Sequence, residues 1–284
     1  MCNDSDLIPL RTAIVVNEAT YSVVGLLGRG YFGAVSHIRR KLPSGKIQNL
    51  ALKEQKRTEG ENELKMLLPL QDRDHPHIVR LFGFGPVGEN FILALEHARY
   101  GDLETYVRKD EYYMEKKKAR AFYGQLLRGI HFLHSHRVAH LDIKPVNVLV
   151  MSSGHCRITD FGVSALMTEE GLCRPAGSIA YQPPEHRGGP YRINGMWQDL
   201  WGAALIYVFM VIADTPWTSA SPENTQYGWF RQGRIFRHGN DGWARFQQWD
   251  EYCHLQRLLH HHPDRRLVPA GYSDELKDSF AGLP

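Results

Sequence analysis

Two short acidic segments carry residue types suited to moving a phosphoryl group. The first is His140-Leu141-Asp142-Ile143-Lys144-Pro145-Val146-Asn147, and the second is Asp160-Phe161-Gly162. Asp142 offers a carboxylate base, Lys144 an ammonium and Asn147 an amide oxygen. Asp160 stands near a glycine, where the backbone can turn to present the carboxylate to a metal. Transfer of a phosphoryl group needs little covalent help. It needs an aimed acceptor hydroxyl, neutralisation of the charge spreading over the phosphate, and Mg²⁺ held against the nucleotide oxygens. Magnesium takes hard oxygen ligands and keeps several waters, so one carboxylate and one amide can suffice beside the phosphates. Singly, each segment is a polar turn. Their ordered pairing with the apolar runs Val148-Leu149-Val150 and Cys156-Arg157-Ile158 argues against chance.

These groups have to be positioned by regular structure, and the chain upstream supplies it. Tyr21 to Leu27 is strand-like and leads into Gly28-Arg29-Gly30-Tyr31-Phe32-Gly33-Ala34-Val35. Glycines at this spacing let a backbone close over phosphates where a Cβ would collide. Dinucleotide-binding folds use the same spacing but open a helix after it. Here Val35-Ser36-His37-Ile38 continues as strand, Leu42 to Lys46 makes a turn, and Leu50 to Lys53 is strand again. Glu59 to Leu70 carries a helical stripe at Leu64, Leu67 and Leu68. Gln71 to Asp74 reads as a loop, Phe91 to Leu95 as a strand, and Asp102 as an N-cap. Lys116 to Ser135 has apolar residues at Ala119, Phe122, Tyr123, Leu126, Leu127, Ile130 and Leu133, the pattern of a long amphipathic helix that delivers the chain to His140.

Together these segments resemble the eukaryotic protein kinases, from about Tyr21 to Leu267, in the serine/threonine form marked by Lys144-Pro145. The resemblance implies an α+β bilobal fold: a small N-lobe of antiparallel sheet with one helix, and a larger, mainly helical C-lobe. The implied bounds are an arm over 1–20, a kinase domain over 21–275 (N-lobe about 21–96, hinge about 96–100, C-lobe about 101–275) and a tail over 276–284. It implies ATP between the lobes, touched by Gly28, Arg29, Gly30, Tyr31, Phe32, Gly33, Val35, Ala51, Lys53, Leu95, Glu96, Ala98 and Leu149. Lys53 would hold the α- and β-phosphates, braced by a carboxylate from Glu59, Glu61 or Glu63. Glu63 fits best, because it shares a helix face with Leu67. Asp142 would be the base, Lys144 would neutralise the transferring phosphate, and Asn147 and Asp160 would hold Mg²⁺.

Departures from the family pattern carry information. Leu141 stands where an arginine is common; that arginine pairs with a phosphorylated residue in the activation segment. Leucine cannot, so activity independent of that phosphorylation is expected. Ser178 replaces the threonine that touches the catalytic Asp and Lys, and Pro183 replaces an alanine. Val163 after the metal triplet goes with a preference for threonine over serine acceptors. Asp199 resembles the buried acid that anchors the catalytic loop, Ala204 replaces a glycine, and Arg266 resembles the partner of Glu185. Pro216-Trp217, Tyr227 and Trp229 are faintly similar to the checkpoint and calmodulin-regulated branches.

The remaining composition narrows the partners. With 284 residues, 43 % of them hydrophobic, a large core is available. The net charge of +3 favours neither nucleic acid nor a polybasic membrane contact. Cys2, Cys156, Cys173 and Cys253 form no paired motif, which points to a reducing, intracellular location, cytoplasmic or nuclear. Met1-Cys2-Asn3-Asp4 lacks the pattern of a secretory leader. Leu200 to Ala213 is short of the roughly 20 residues that span a bilayer, so a buried core helix is expected. His260-His261-His262 points three ways on a helix and is a poor metal site. No repeat, coiled coil or lipidation signal is evident, which leaves regulation to partners, to the short termini, or to nothing at all. Protein substrates follow from the resemblance. The alternatives are a nucleotide-binding scaffold without transfer, supported by Leu141, and a small-molecule kinase, disfavoured by Ser178 to Glu185.

Overall fold

The computed structural model describes residues 13–16, 19–30, 33–109, 114–186, 192–221 and 223–231. Tyr31, Phe32, Cys2, Cys253, His260 to His262, Arg266, and the 276–284 tail lie outside them, as do the side chains of Glu185 and Trp229. The chain divides into two units, Met1–Arg99 with Thr159–Gly162, and Tyr100–Ile158 with Val163–Pro284.

The first unit is an antiparallel sheet carrying one helix. Its elements are β1 (Ala13–Val16), β2 (Ala19–Gly30), β3 (Gly33–Lys41), β4 (Ile47–Lys56), α1 (Arg57–Leu67), β5 (Leu81–Val87) and β6 (Asn90–Glu96). The strands run in the order β1-β2-β3-β4-β6-β5. Alternation in β4 sends Leu50 and Leu52 to one face, where they join Tyr21, Val23, Ile38, Ile92 and Ala94 in a core. Within the expected arm over 1–20, Ala13–Val16 is strand: the β-branched run Ile14-Val15-Val16 pairs with Ala19 to Tyr21 of β2. The expected helix over 59–70 is shifted and shorter. It ends at Leu67, and Leu68–Arg73, with Pro69 at its start, tightens into a 3-10 helix where a loop was expected at Gln71 to Asp74. The Gln71 amide explains the order there, donating to Val79 O and accepting from Leu81 N.

The second unit is mainly helical. It comprises α2 (Leu103–Lys109), α3 (Lys116–Ser135), β7 (Val138–Ala139), β8 (Val148–Val150), β9 (Cys156–Ile158), β10 (Ala165–Leu166), β11 (Leu172–Cys173), β12 (Ile193–Asn194), α4 (Gly195–Ile212) and α5 (Thr225–Arg231). Asp102 caps α2 as expected, its Oδ1 accepting from Thr105 N at 2.7 Å. Helix α3 has the predicted bounds and buries every residue of its predicted stripe. It packs on α4, with the rings of Tyr123 and Tyr207 4.8 Å apart.

Helix α4 begins earlier than its apolar run, because the Asn194 side chain accepts from Trp197 N and caps it. At 18 residues it is long and apolar enough to cross a membrane by length and composition, contrary to the expectation from Leu200 to Ala213. It is 89 % buried within the protein, and Ala204 is wholly enclosed. Burial on every side is what a continuously apolar helix needs in water, so α4 is a core helix.

Thr159–Gly162 falls with the first unit, whereas the sequence placed it among C-lobe residues. The reason lies in the contacts made by Asp160 and Phe161.

Candidate active site

In the first unit, Gly28, Arg29 and Gly30 end β2 and Gly33 opens β3, with Gly30 opposite Gly33. No helix follows. Gly33 has φ +153°, and a Cβ there would sit 1.9 Å from the carbonyl oxygen of Glu54 on β4. Glycine is thus required for the hairpin to lie against its neighbour. Val35 pairs with Lys53 across β3 and β4, and Ala51 pairs with Leu95 across β4 and β6. Leu95 is buried, while Glu96 and Ala98 are half-buried at the end of β6.

Lys53 forms the centre of this unit's polar cluster. Its Nζ lies 2.7 Å from Glu63 Oε2 and 2.7 Å from Asp160 Oδ1. Of the three candidate acids, Glu63 is the partner and is 0 % exposed. Glu59 accepts from the Thr58 hydroxyl, and Glu61 pairs with Arg57 at the surface. Glu63 also receives the Gln55 amide at 2.6 Å and the Phe161 N–H at 3.2 Å. Burial works against the Lys53 ammonium, but Glu63 and then Asp160 outweigh it and hold its pKa above the usual lysine value. Asp160 has φ +66°, and its side chain is 29 % exposed. With Oδ1 on Lys53, the other carboxylate oxygen is free to meet a cation.

The second unit assembles the other group. Asp142 Oδ2 lies 2.7 Å from Lys144 Nζ and accepts from Asn147 Nδ2 at 3.1 Å, while its Oδ1 accepts from Ser178 N at 2.8 Å. Lys144 Nζ also donates to Ser178 Oγ at 2.7 Å, the contact expected of a residue standing in for threonine. Burial alone would push the Asp142 carboxyl up; the Lys144 ammonium and the Ser178 amide reverse this and hold it below the usual carboxylate range. Asn147 turns its Nδ2 to Asp142, which leaves its amide oxygen to offer. Leu149 is half-buried in β8, opposite Arg157 of β9.

Asp199, on α4, is 0 % exposed and anchors the loop as expected. It accepts from His140 N at 2.8 Å and Leu141 N at 2.7 Å. His134 Nε2, 2.9 Å from Asp199, was not foreseen from sequence. Neither were the amides of Gln55, Gln182 and Gln198. Leu141 packs in an apolar cluster with Ala139, Met167, Cys173 and Ile193. It therefore ties the activation segment to the loop through burial, where an arginine would need a phosphate.

Gly177 has φ +93°, and a Cβ there would lie 2.0 Å from Leu141 O. Replacing Gly177 with alanine should cost more than about 1 kcal/mol, the level at which incompatible backbone begins to matter. Transfer activity should fall with it, because Gly177 immediately precedes Ser178. Urea unfolding and an activity assay on the same preparation check both effects.

An antiparallel sheet carrying Lys53 over a buried glutamate, and a helical unit presenting an aspartate, a lysine and an asparagine from one loop, define a protein kinase domain. The family model described as protein kinase domain matches residues 21–276, and the chain belongs to that family. Its relatives include serine/threonine-protein kinase CHK1 of Mycosarcoma maydis, 33 % identical over 63 % of this chain and 27 % of that one. Another is serine/threonine-protein kinase chk-1 of Caenorhabditis briggsae, 29 % identical over 92 % of this chain and 54 % of that one. A third is the carbon catabolite-derepressing protein kinase of Saccharomyces cerevisiae, 27 % identical over 71 % of this chain and 32 % of that one. The chain thus spans between about a quarter and about half the length of these relatives.

Proposed function

We propose that this chain transfers the γ-phosphate of ATP to serine or threonine hydroxyls of protein substrates. The observation that carries the reading is the setting of Asp142, whose carboxylate meets Lys144 Nζ and Ser178 N in a loop anchored through Asp199. In this reading Asp142 accepts the proton of the acceptor hydroxyl as its oxygen bonds to the γ-phosphorus and the bond to the β-phosphate oxygen breaks. Lys144 offsets negative charge on the moving phosphoryl group. Lys53, held by Glu63, grips the α- and β-phosphates, and the glycines at 28, 30 and 33 let the protein backbone approach those phosphates closely. The residues present suit Mg²⁺, since Asp160 and Asn147 each retain a hard oxygen. When bound, Mg²⁺ neutralises charge on the phosphate oxygens. The reading requires Lys53 and Asp160 to serve the same nucleotide as Asp142 and Asn147.

Two finer features belong to the proposal. Val163 favours threonine over serine acceptors, by resemblance to the family. Activity does not require a phosphate on the activation segment, because Leu141 joins that segment through an apolar cluster. Treatment of pure protein with phosphatase should leave its specific activity within about twofold, and loss of activity would count against this feature. A peptide array with labelled ATP tests the reading as a whole. It should show label on threonine peptides first, then serine, and none on tyrosine. Buried Cys156 and Cys173, neither of them in a disulfide, fit a reducing intracellular location, cytoplasmic or nuclear.

A further inference from the structure

We propose that Gln198 is a positioning residue for phosphoryl transfer: its amide clamps the catalytic loop to the substrate-docking stretch, so that Asp142 and Ser178 meet without a phosphate nearby. This rests on the kinase reading above and extends it to the way the site is held.

Gln198 lies on the first turn of α4 and is only 3 % exposed. Its Nε2 donates to Leu141 O in the catalytic loop and, at 2.8 Å, to Ala176 O in the activation segment. Leu141 directly precedes Asp142, and Ala176 lies just before Gly177 and Ser178. The two carbonyls therefore lie one residue before Asp142 and two before Ser178, which meet in the Ser178 N to Asp142 Oδ1 contact. Leu141 has φ +68°, a conformation that a leucine holds only when its surroundings over-determine it. Consecutive residues of α4 do this: Asp199 takes the Leu141 N–H, and Gln198 takes the Leu141 carbonyl.

The chemistry of the side chain is specific. Bridging two carbonyls requires two N–H donors on one atom, which a carboxamide has and a carboxylate or thioether lacks. Gln198 Oε1 is buried with no hydrogen-bond partner among the described residues. An unpaired buried oxygen costs stability, so an apolar residue would suit a purely structural position better. Gln182 reinforces the same joint from the other side, its Nε2 donating to Ala176 O at 3.1 Å and Gly177 O at 2.8 Å.

The test compares wild type, Q198M and Q182M, all treated with phosphatase. Single-turnover transfer to a peptide is measured per molecule of bound MgATP, with MgATP affinity measured separately. Misplacing a reacting group by about 1 Å can cost on the order of 100-fold in rate. Q198M should lose roughly that factor in transfer rate, with MgATP affinity unchanged. A Q198M rate equal to wild type overturns the role, and so does loss of MgATP binding in step with transfer, since that marks a merely structural residue. Should Q198M fail to fold, Q182M, on the half-buried side of the joint, is read by the same two measurements. It should slow transfer and spare nucleotide affinity, and a Q182M rate equal to wild type then overturns the clamp. A wild-type chain that transfers no phosphate overturns the kinase reading and this role together, whereas transfer by wild type and Q198M alike overturns only the role.

Discussion

Exchanging Asp142 for asparagine lowers the rate of phosphoryl transfer by about 10²–10⁴-fold, the range contributed by a positioned general base. The amide cannot take the acceptor proton. It also meets donors on two sides, because the oxygen it replaces faces both Lys144 Nζ and Asn147 Nδ2. Ser178 N keeps an acceptor in the other oxygen, so the loop stays anchored through Ser178 and Asp199. MgATP should therefore bind D142N nearly as well as wild type. Quench-flow assays of transfer, run beside calorimetric titration with MgATP, check both halves of the prediction.

The same carboxylate sets an expectation for pH. Its folded-state pKa is depressed, so the stability it contributes is present above the unfolded value and lost as pH falls through the folded one. Asp142 is accordingly ionised throughout the neutral range. No limb of the rate profile between about pH 5 and 8 should belong to it.

Replacing Lys53 with methionine has the largest effect on the first unit. Two carboxylates lose their shared cation, and one of them, Glu63, has no access to water. Removing one partner of a buried pair costs about 3–5 kcal/mol, because the survivor is left uncompensated. Gln55 Nε2 and Phe161 N still bond Glu63, and Asp160 is partly solvated, which places the cost near the lower end. Affinity for MgATP should fall roughly ten- to a hundredfold, as expected for one charge-assisted hydrogen bond. Denaturant unfolding and nucleotide titration of K53M measure these losses. The Lys53 pKa is raised on folding, so its contribution holds below the unfolded lysine value and is lost only as pH climbs through the folded one. The stability gap between wild type and K53M should be flat through neutrality and narrow at strongly alkaline pH.

The parts of this molecule with a local signature were legible in the chain. Helix α3 was legible from its apolar period, because the stripe from Ala119 to Leu133 runs most of the length of Lys116–Ser135. Glu63 was separable from Glu59 and Glu61 because the helix face it shares with Leu67 is the buried one. The strand after Gly33 distinguished an antiparallel hairpin from the strand-to-helix turn of a dinucleotide-binding fold.

What escaped was set by partners remote in sequence. Gln55, Gln182 and Gln198 carry no period and no motif, and Gln198 meets Leu141 across 57 positions of chain. His134 sits at the end of α3 looking like a solvated imidazole until α4 brings Asp199 against it. Strand β1 is four residues long and gains its stability from β2, so its own composition did not separate it from an arm. Asp160 was grouped with its sequence neighbours, whereas its contacts with Lys53 assign it to the first unit.

The most direct measurement follows both MgATP binding and the fate of the γ-phosphate in one preparation of wild type and one of D142N. The account predicts that both proteins bind MgATP and that only wild type moves label onto threonine or serine. Label arriving at the same rate with D142N, or nucleotide binding by wild type with no label moved, would contradict it.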